Sequence, residues 1–399
     1  MGLERLPNES DVQYHKRLVF GKLVDKTLAD ADFTELSEAV YGQRYASDVA
    51  RRMMYGSCKT LQLFEDEDRR NLSKDALDDY DVKMTQLKIE RQKLFDQRTA
   101  FNRLIREQAR AEELQEIMEG SIKSSVIPQL EYRKGVSLSS DNDLLVSLCD
   151  IHYGASVNNY WNTYNPDECV KMMCNYYSKI IDIAETHGSE NCIVWQNGDS
   201  ISGNIHQSIA VTNKENVIDQ VRGVSELIAE FLAALSPHFK TVSYISVSGN
   251  HSRINPNKEQ SLVAERLDDL VEWYLGARLA KFENVIIGAG EKVDSTMYLI
   301  DVRGKTYCGV HGDFDGSAAK IQSLRAMTSK PLYAVLCGHK HHCKTDNVQG
   351  VQTVMAGSFI GLDDYCVQNR IVGRPEQIVC VCDTDGIRCS YSVGLKDKI

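Results

Sequence analysis

The chain has 399 residues, 42% of them hydrophobic, which is long enough for more than one domain and for a sizeable core. Its 46 Lys plus Arg stand against 56 Asp plus Glu, a net charge of −10, and this excludes a generally basic protein that coats a polyanion; nucleic-acid contact would need local patches. No segment approaches the roughly 18 consecutive apolar residues of a spanning helix, and no Gly-x-x-x-x-Gly-Lys-Ser/Thr loop is present, which sets aside P-loop NTPases. Twelve cysteines, several inside apolar runs (Cys149, Cys192, Cys308, Cys337), and no recognisable leader predict reduced core thiols and a cytoplasmic location without membrane partners.

The N-terminal part reads as helix. Residues 11–29 and 32–41 carry helical apolar spacing, the second as Phe33, Leu36 and Val40; Gly42 then breaks the pattern, and a third segment runs from Ala46 to Tyr55. Three short helices around a Gly-containing turn predict a helix-turn-helix-like domain over residues 1–60, with Arg51 and Arg52 on the third helix. A solvated helix face accounts equally for those two arginines, and a three-helix bundle can bind protein instead of DNA.

Residues 61–120 predict a long charged helix, since Asp66 to Glu119 contains neither Pro nor Gly. Tyr80, Leu87, Leu94 and Phe101 recur every seven residues, but their companions Met84, Arg91, Arg98 and Ile105 are half basic, so the coiled-coil seam is weak. Between Lys83 and Arg110 eight basic residues face three acidic ones, a local +5 in an acidic chain. That suits guidance of a phosphate backbone, or packing and self-association of an ordinary charged helix. Residues 121–140, with Pro128 and Gly135, read as a connector to a domain over 141–399.

In that last domain, five polar clusters each follow an apolar run. Asp150-Ile151-His152 follows residues 143–149, Gly198-Asp199 follows 192–197, and Gly249-Asn250-His251 follows 242–248. His311-Gly312-Asp313 follows 306–310, and Gly338-His339-Lys340-His341 follows 332–337. The runs predict buried strands, and in open α/β sheets sites form where strands end. Asp, His and one Asn are donors for borderline-hard divalent ions such as Mn²⁺, Fe²⁺ or Zn²⁺, with no thiolate needed. Helices are expected over 166–186, 214–235, 258–281 and 317–328, and the runs 351–355, 377–382 and 387–393 are expected to complete a second sheet.

The order D-x-H, G-D, G-N-H, H, G-H-x-H over residues 143–345 resembles that of the calcineurin-like metallophosphoesterase superfamily. The resemblance implies an α/β fold, a two-layer mixed β-sandwich flanked by helices, here preceded by the α-helical N-terminal region. It implies two divalent ions, Mn²⁺ in the first place with Fe²⁺ or Zn²⁺ as alternatives: Asp150, His152 and His341 on the first, Asn250, His311 and His339 on the second, Asp199 bridging. It makes His251 a general acid at the leaving group. The acidic residue that usually follows this His is replaced here by Ser252 and Arg253, which leaves the orientation of His251 open and suggests Arg253 as a substrate-phosphate clamp. His206 and Asp313, with Asp315, are expected to meet substrate or to orient ligand histidines, whereas His342 should point away.

The helical start, basic helix and catalytic domain together are similar to phosphoesterases encoded by bacteriophages and prophages, and through them to the DNA-repair exonuclease branch. This implies a bacterial or phage-infected cell and a nucleic-acid substrate. The expected activity is therefore metal-dependent hydrolysis of phosphodiester bonds in DNA or RNA. A phosphomonoesterase or small-nucleotide phosphodiesterase would show the same motifs, and a DNA-binding or assembly protein with a structural metal site is the alternative of another class.

Overall fold

The computed structural model describes residues 3–70, 74–123, 130–133, 135–136, 139–205, 207–315 and 318–396. It divides into two compact units, Met1–Phe101 and Asn102–Ile399. Among the described residues no helix is long and apolar enough to cross a membrane.

In the first unit, α1 (Asp11–Leu23) starts at Ser10, whose side chain and that of Gln13 cap each other's backbone N–H. α2 (Phe33–Tyr41) ends at Gly42, whose φ of 68° only glycine adopts cheaply. α3 (Ser47–Arg70) does not stop at Tyr55 as the spacing predicted. Gly56 is tolerated inside it, and the apolar stripe continues to Cys58 and Leu61, which close a small core with Leu18, Val19, Leu36, Val40 and Met54. α4 (Lys74–Lys123), a single helix of 50 residues, begins in this unit and passes its boundary at Phe101.

The second unit runs β1 (Asp143–Ser147), a short hairpin of β2 (Val157–Asn158) and β3 (Thr163–Tyr164), α5 (Pro166–His187), β4 (Asn191–Asn197), α6 (Gln207–Thr212) and α7 (Val217–Leu235). Then come β5 (Thr241–Val247), α8 (Asp268–Arg278), β6 (Val285–Ile287), β7 (Glu291–Asp294), β8 (Met297–Val302), β9 (Lys305–Val310) and α9 (Ala318–Thr328). The chain ends with β10 (Leu332–Cys337), β11 (Lys344–Val348), β12 (Val351–Met355), α10 (Asp364–Asn369), β13 (Glu376–Asp383) and β14 (Gly386–Gly394).

Two six-stranded mixed sheets result, ordered β14-β13-β1-β4-β5-β6 and β11-β12-β10-β9-β8-β7. β1, β4, β5 and β6 are parallel, as are β9, β10 and β12. Alternation along each strand builds the layers. Leu145, Ile193, Trp195 and Ile245 of the first sheet meet Tyr298, Tyr307, Leu336 and Val354 of the second. Their neighbours Leu144, Val146, Val194 and Val242 face α5 and α7, while Val310, Val335 and Cys337 face α9. Each such side chain contributes about 1.5–3 kcal/mol by burial.

Two expectations change. The runs 377–382 and 387–393 lie in the first sheet, where β13 pairs antiparallel with β1 from Asp143↔Cys382 to Val146↔Val379. An apolar run carries no record of its partner strand, so this pairing was not in the spacing. The helix expected over 258–281 is only Asp268–Arg278. Before it, Asn255 and Asn257 accept from the backbone N–H two residues on, at 3.0 and 3.1 Å, and Arg253 bridges to Arg266, so the chain turns instead of winding.

Candidate metal centre

All five clusters follow the carboxyl ends of strands β1, β4, β5, β9 and β10, and the structure brings the seven donor residues together there. Five of them, Asp150, His152, Asp199, His339 and His341, hold positive φ between 51° and 69°. Left-handed backbone costs a non-glycine residue about 1–3 kcal/mol, and it persists where a sharp turn at a strand end must aim a side chain inward.

Each carboxylate is tied at one oxygen and presents the other. Asp150 Oδ2 accepts from the His339 backbone N–H at 2.8 Å, and Asp199 Oδ1 from that of His251 at 2.8 Å, so each links two clusters. Glycine permits this approach: a Cβ on Gly249 would lie 2.1 Å from Asp199 Oδ1, and one on Gly338 2.5 Å from Asp150 Oδ2.

The presented atoms form two groups. His152 Nε2 and His341 Nε2 face each other at 3.2 Å, with Asp150 Oδ1 3.9 and 3.6 Å from them, respectively. In the second group His311 Nε2 meets Asn250 Oδ1 at 3.0 Å, His339 Nδ1 at 3.2 Å and Asp199 Oδ2 at 3.3 Å. Asp199 Oδ2 is also 4.0 Å from His152 Nε2, so it stands between the groups.

The donor set fits two cations. Asp150 Oδ1 is fully buried with no hydrogen-bond partner, a placement that needs a positive charge beside it. The Asn197 carbonyl can only accept, so His311 Nδ1 donates to it at 2.6 Å and Nε2 is the atom turned toward the oxygens of Asn250 and Asp199. Electron-rich atoms converging in this way require a metal ion or a proton at their centre.

The electrostatics say the same. Burial works against the His311 imidazolium, but the Asp199 carboxylate outweighs it and lifts this ring to about 10. Burial likewise opposes the charge of His341, and the Asp150 carboxylate, 3.6 Å away, leads the groups that lift it to about 10. Asp199 is held well below the usual carboxylate range: burial opposes this, and the His311 and His251 charges overcome it. His152 and His339 go the other way, His152 well down through burial and the His251 charge, His339 down to about 4 through burial and the His311 charge. The two carboxylates thus draw positive charge in and two rings hold it, while the other two stay neutral and ready to ligate.

His251 stands beside the groups, its ring centroid 4.5 Å from that of His152, with a ring nitrogen also in reach of Asp199. Its Nδ1 donates to the Ser202 carbonyl at 2.8 Å, leaving Nε2 as the free nitrogen. Arg253 is 7% exposed with no partner at Nε, a buried cation and not a solvated loop residue. His206 lies outside the described residues. Asp313 makes no hydrogen bond to a ligand histidine, because the Asn197 carbonyl already takes the outer nitrogen of His311; Asp313 and Asp315 instead line a cavity beside it. His342 is exposed and donates Nδ1 to the Lys340 carbonyl.

Sequence reading missed two positioning residues. Asn197 donates its amide to the carbonyls of Val310 and Leu336, at 2.9 and 2.7 Å, and so ties β4 to the ends of β9 and β10 beneath the site. Asp268, buried at the start of α8, accepts from the N–H of Gly249 at 2.9 Å and of Ser200 at 3.3 Å, holding two cluster turns together. Burial pushes its carboxyl up, against the Gly249 N–H. Nothing local marked either residue, although Asp268 supplies a carboxylate under the Gly249–His251 turn where the position after His251 lacks one.

Two packed mixed sheets with Asp, Asn and His donors gathered at strand ends are the architecture that the resemblance to calcineurin-like metallophosphoesterases implies. No protein-family model matches the chain. It is similar to the SPbeta prophage-derived uncharacterized protein YonJ of Bacillus subtilis (strain 168), 21% identical over 314 residues that cover 75% of each chain. Among solved structures it is similar to Vacuolar Protein Sorting 29 from Cryptosporidium parvum, at 12% identity and a TM-score of 0.32 over 65% of this chain and 95% of that one. It is also similar to an archaeal phosphodiesterase, at 12% identity and a TM-score of 0.30 over 63% and 99%.

Proposed function

We propose that the chain is a dinuclear-metal phosphodiesterase acting on DNA or RNA. One observation carries this reading: two groups of buried and half-buried nitrogen and oxygen donors share Asp199 Oδ2, 3.3 Å from His311 on one side and 4.0 Å from His152 on the other. Asp150, His152 and His341 would hold one divalent ion, Asn250, His311 and His339 the other, with Asp199 bridging and Mn²⁺ the first candidate. Such a pair supplies Lewis-acid charge and an acidified water for in-line attack at phosphorus.

The chain's own residues supply the rest. Asn250 contributes a neutral oxygen where a third carboxylate would cancel more of the charge that polarises the phosphate. His251, anchored by its Nδ1–H to Ser202, keeps Nε2 for the leaving oxygen and, as the imidazolium, delivers the Nε2 proton to it, which leaves the ring neutral. Asp268 and Asn197 hold the turns that aim these groups. The nucleic-acid part of the reading rests on the basic stretch between Lys83 and Arg110, suited to a phosphate backbone.

The test is hydrolysis of end-labelled single- and double-stranded DNA and RNA with Mn²⁺ by the intact chain and by His251→Ala. Cleavage that is lost in the variant is the expected result. Cleavage of a small phosphodiester alone would move the substrate to small phosphoesters, and DNA binding without any hydrolysis would leave a structural metal site.

A further inference from the structure

We infer that the cavity beside Asn250 and His311 is a nucleobase site, with Phe314 as the stacking platform for the base attached to the phosphate under hydrolysis. The proposal rests on the phosphoesterase reading and deepens it. The cavity measures about 190 Å³, and its walls include Asn250 and His311, so a ligand that fills it lies directly beside the second donor group. It is smaller than the roughly 300–1,000 Å³ of sites that enclose a whole drug-sized ligand. One ring system fits there, not an entire nucleotide.

Its lining has the two chemistries a base requires. Phe314, three residues beyond His311, is 58% exposed, although a large apolar ring gains by burial. Lys258 Nζ sits over the ring, 5.1 Å from its centroid, and engages a single face. Leu324 and Met327 extend the apolar wall. Around it stand hydrogen-bonding groups for a base edge: the Asp313 carboxylate as acceptor, and the Arg266 guanidinium as donor. Arg266 is held in place by Ser261 Oγ at 2.8 Å and the Leu262 carbonyl at 2.7 Å. A purely apolar ligand would leave these groups unmatched, and a simple anion would meet the carboxylates.

The backbone of Arg266 pairs with that of Arg253, the buried cation with no partner at Nε. Two guanidinium-bearing residues on loop segments joined by one β-bridge, in a chain of net charge −10, suit a ligand that carries phosphate as well as a base. An aromatic face, an edge-reading donor and acceptor, and cations beside them describe a nucleotide. Stacking is tolerant of base identity, so the site would accept all bases with modest preference.

The test uses the full chain with Mn²⁺ and two esters that release the same nitrophenol, p-nitrophenyl thymidylate and methyl p-nitrophenyl phosphate. In Phe314→Ala the ratio of kcat/KM for the first over the second should fall about tenfold, chiefly through KM, within the range for losing one base–aromatic stack. Phe314→Trp, which keeps a π-face, should restore it. An unchanged ratio, or an equal loss on both esters, overturns the proposal. If the parent chain hydrolyses neither ester and cleaves no DNA or RNA, the phosphoesterase reading fails. Calorimetric titration of both proteins with thymidylate then decides the cavity separately: binding weakened about tenfold in Phe314→Ala supports it, and absent or equal binding overturns it.

Discussion

The strand-end centre of the second unit and the helices of the first treat their polar and apolar groups in opposite ways. In the centre, Asp150, Asp199, His152 and His311 are all under 4% exposed, and a backbone strained at five positions aims them at one another. In the first unit the seven-residue series shows its apolar members to solvent, Leu87 63%, Leu94 65% and Phe101 61% exposed, and the ion pairs Lys83–Asp79, Arg91–Asp25 and Lys93–Glu90 lie at the surface. A folded chain buries charges at a cost unless something compensates them. The centre makes chemical sense only with cations or protons in it, whereas the exposed groups of the helices stay in water and need no such compensation. Substitutions should therefore have large effects on chemistry in one region and small effects on stability in the other.

The largest effect is expected at Asp199. Asp199→Asn removes the charge shared by both donor groups and should cut phosphodiester hydrolysis by more than the 10²- to 10⁴-fold typical of losing one general acid. Measured by steady-state kinetics with Mn²⁺, a smaller loss would mean that Asp199 does not bridge. His251→Ala should fall within that 10²- to 10⁴-fold range in kcat while the metal content, read by elemental analysis, stays at the parental level. Loss of metal with it would make His251 a ligand.

Asp268→Ala comes next. It leaves the N–H groups of Ser200 and Gly249 buried without a partner, which costs about 1–3 kcal/mol each and lowers the melting temperature. The loosened turns should weaken metal affinity by about 10- to 100-fold, as loss of an outer hydrogen-bond partner does.

These predictions also show how far the amino-acid order could be read. The five clusters and their strands were legible because a buried run ending in Gly and a metal donor is a local signal. Asp268 and Asn197 were not, since their roles exist only once α8 lies under the Gly249 turn and β4 lies under β9 and β10. The assignment of β13 and β14 to the first sheet was hidden for a related reason: pairing is decided by tertiary contact, not by the apolar content of residues 376–394. In the N-terminal unit the helices themselves were visible, but the end of α3 was not, because Gly56 breaks a helix only where neighbouring contacts fail to hold it.

A pH effect of intermediate size follows from the histidines. In metal-free protein His311 and His341 are raised to about 10, so their contribution to stability is full below their unfolded value of about 6.5 and is lost as pH climbs through 10. His152 and His339 are depressed, so the unfolded chain takes up their protons first and stability also falls as pH drops from about 6.5 toward 4. Thermal melts of chelator-treated protein should therefore peak near pH 6.5 for these four groups, and saturating Mn²⁺ should flatten the alkaline side, where the ion replaces the two protons. A stability that keeps rising to pH 9 without metal would contradict this.

The smallest effect belongs to the first unit. Asp25 pairs with Arg91 at 2.6 Å, with both side chains near 40% exposed, and Asp25→Asn should cost less than about 1 kcal/mol in chemical denaturation. A larger loss would show that this surface pair orders the helices after all.

The central claim, that the strand-end cluster is a two-metal hydrolytic centre, is tested most directly by following hydrolysis of methyl p-nitrophenyl phosphate while metal-free protein is titrated with Mn²⁺. The structure predicts little activity at the first equivalent and its full rise with the second. Activity complete at one equivalent, or none at any loading, would contradict it.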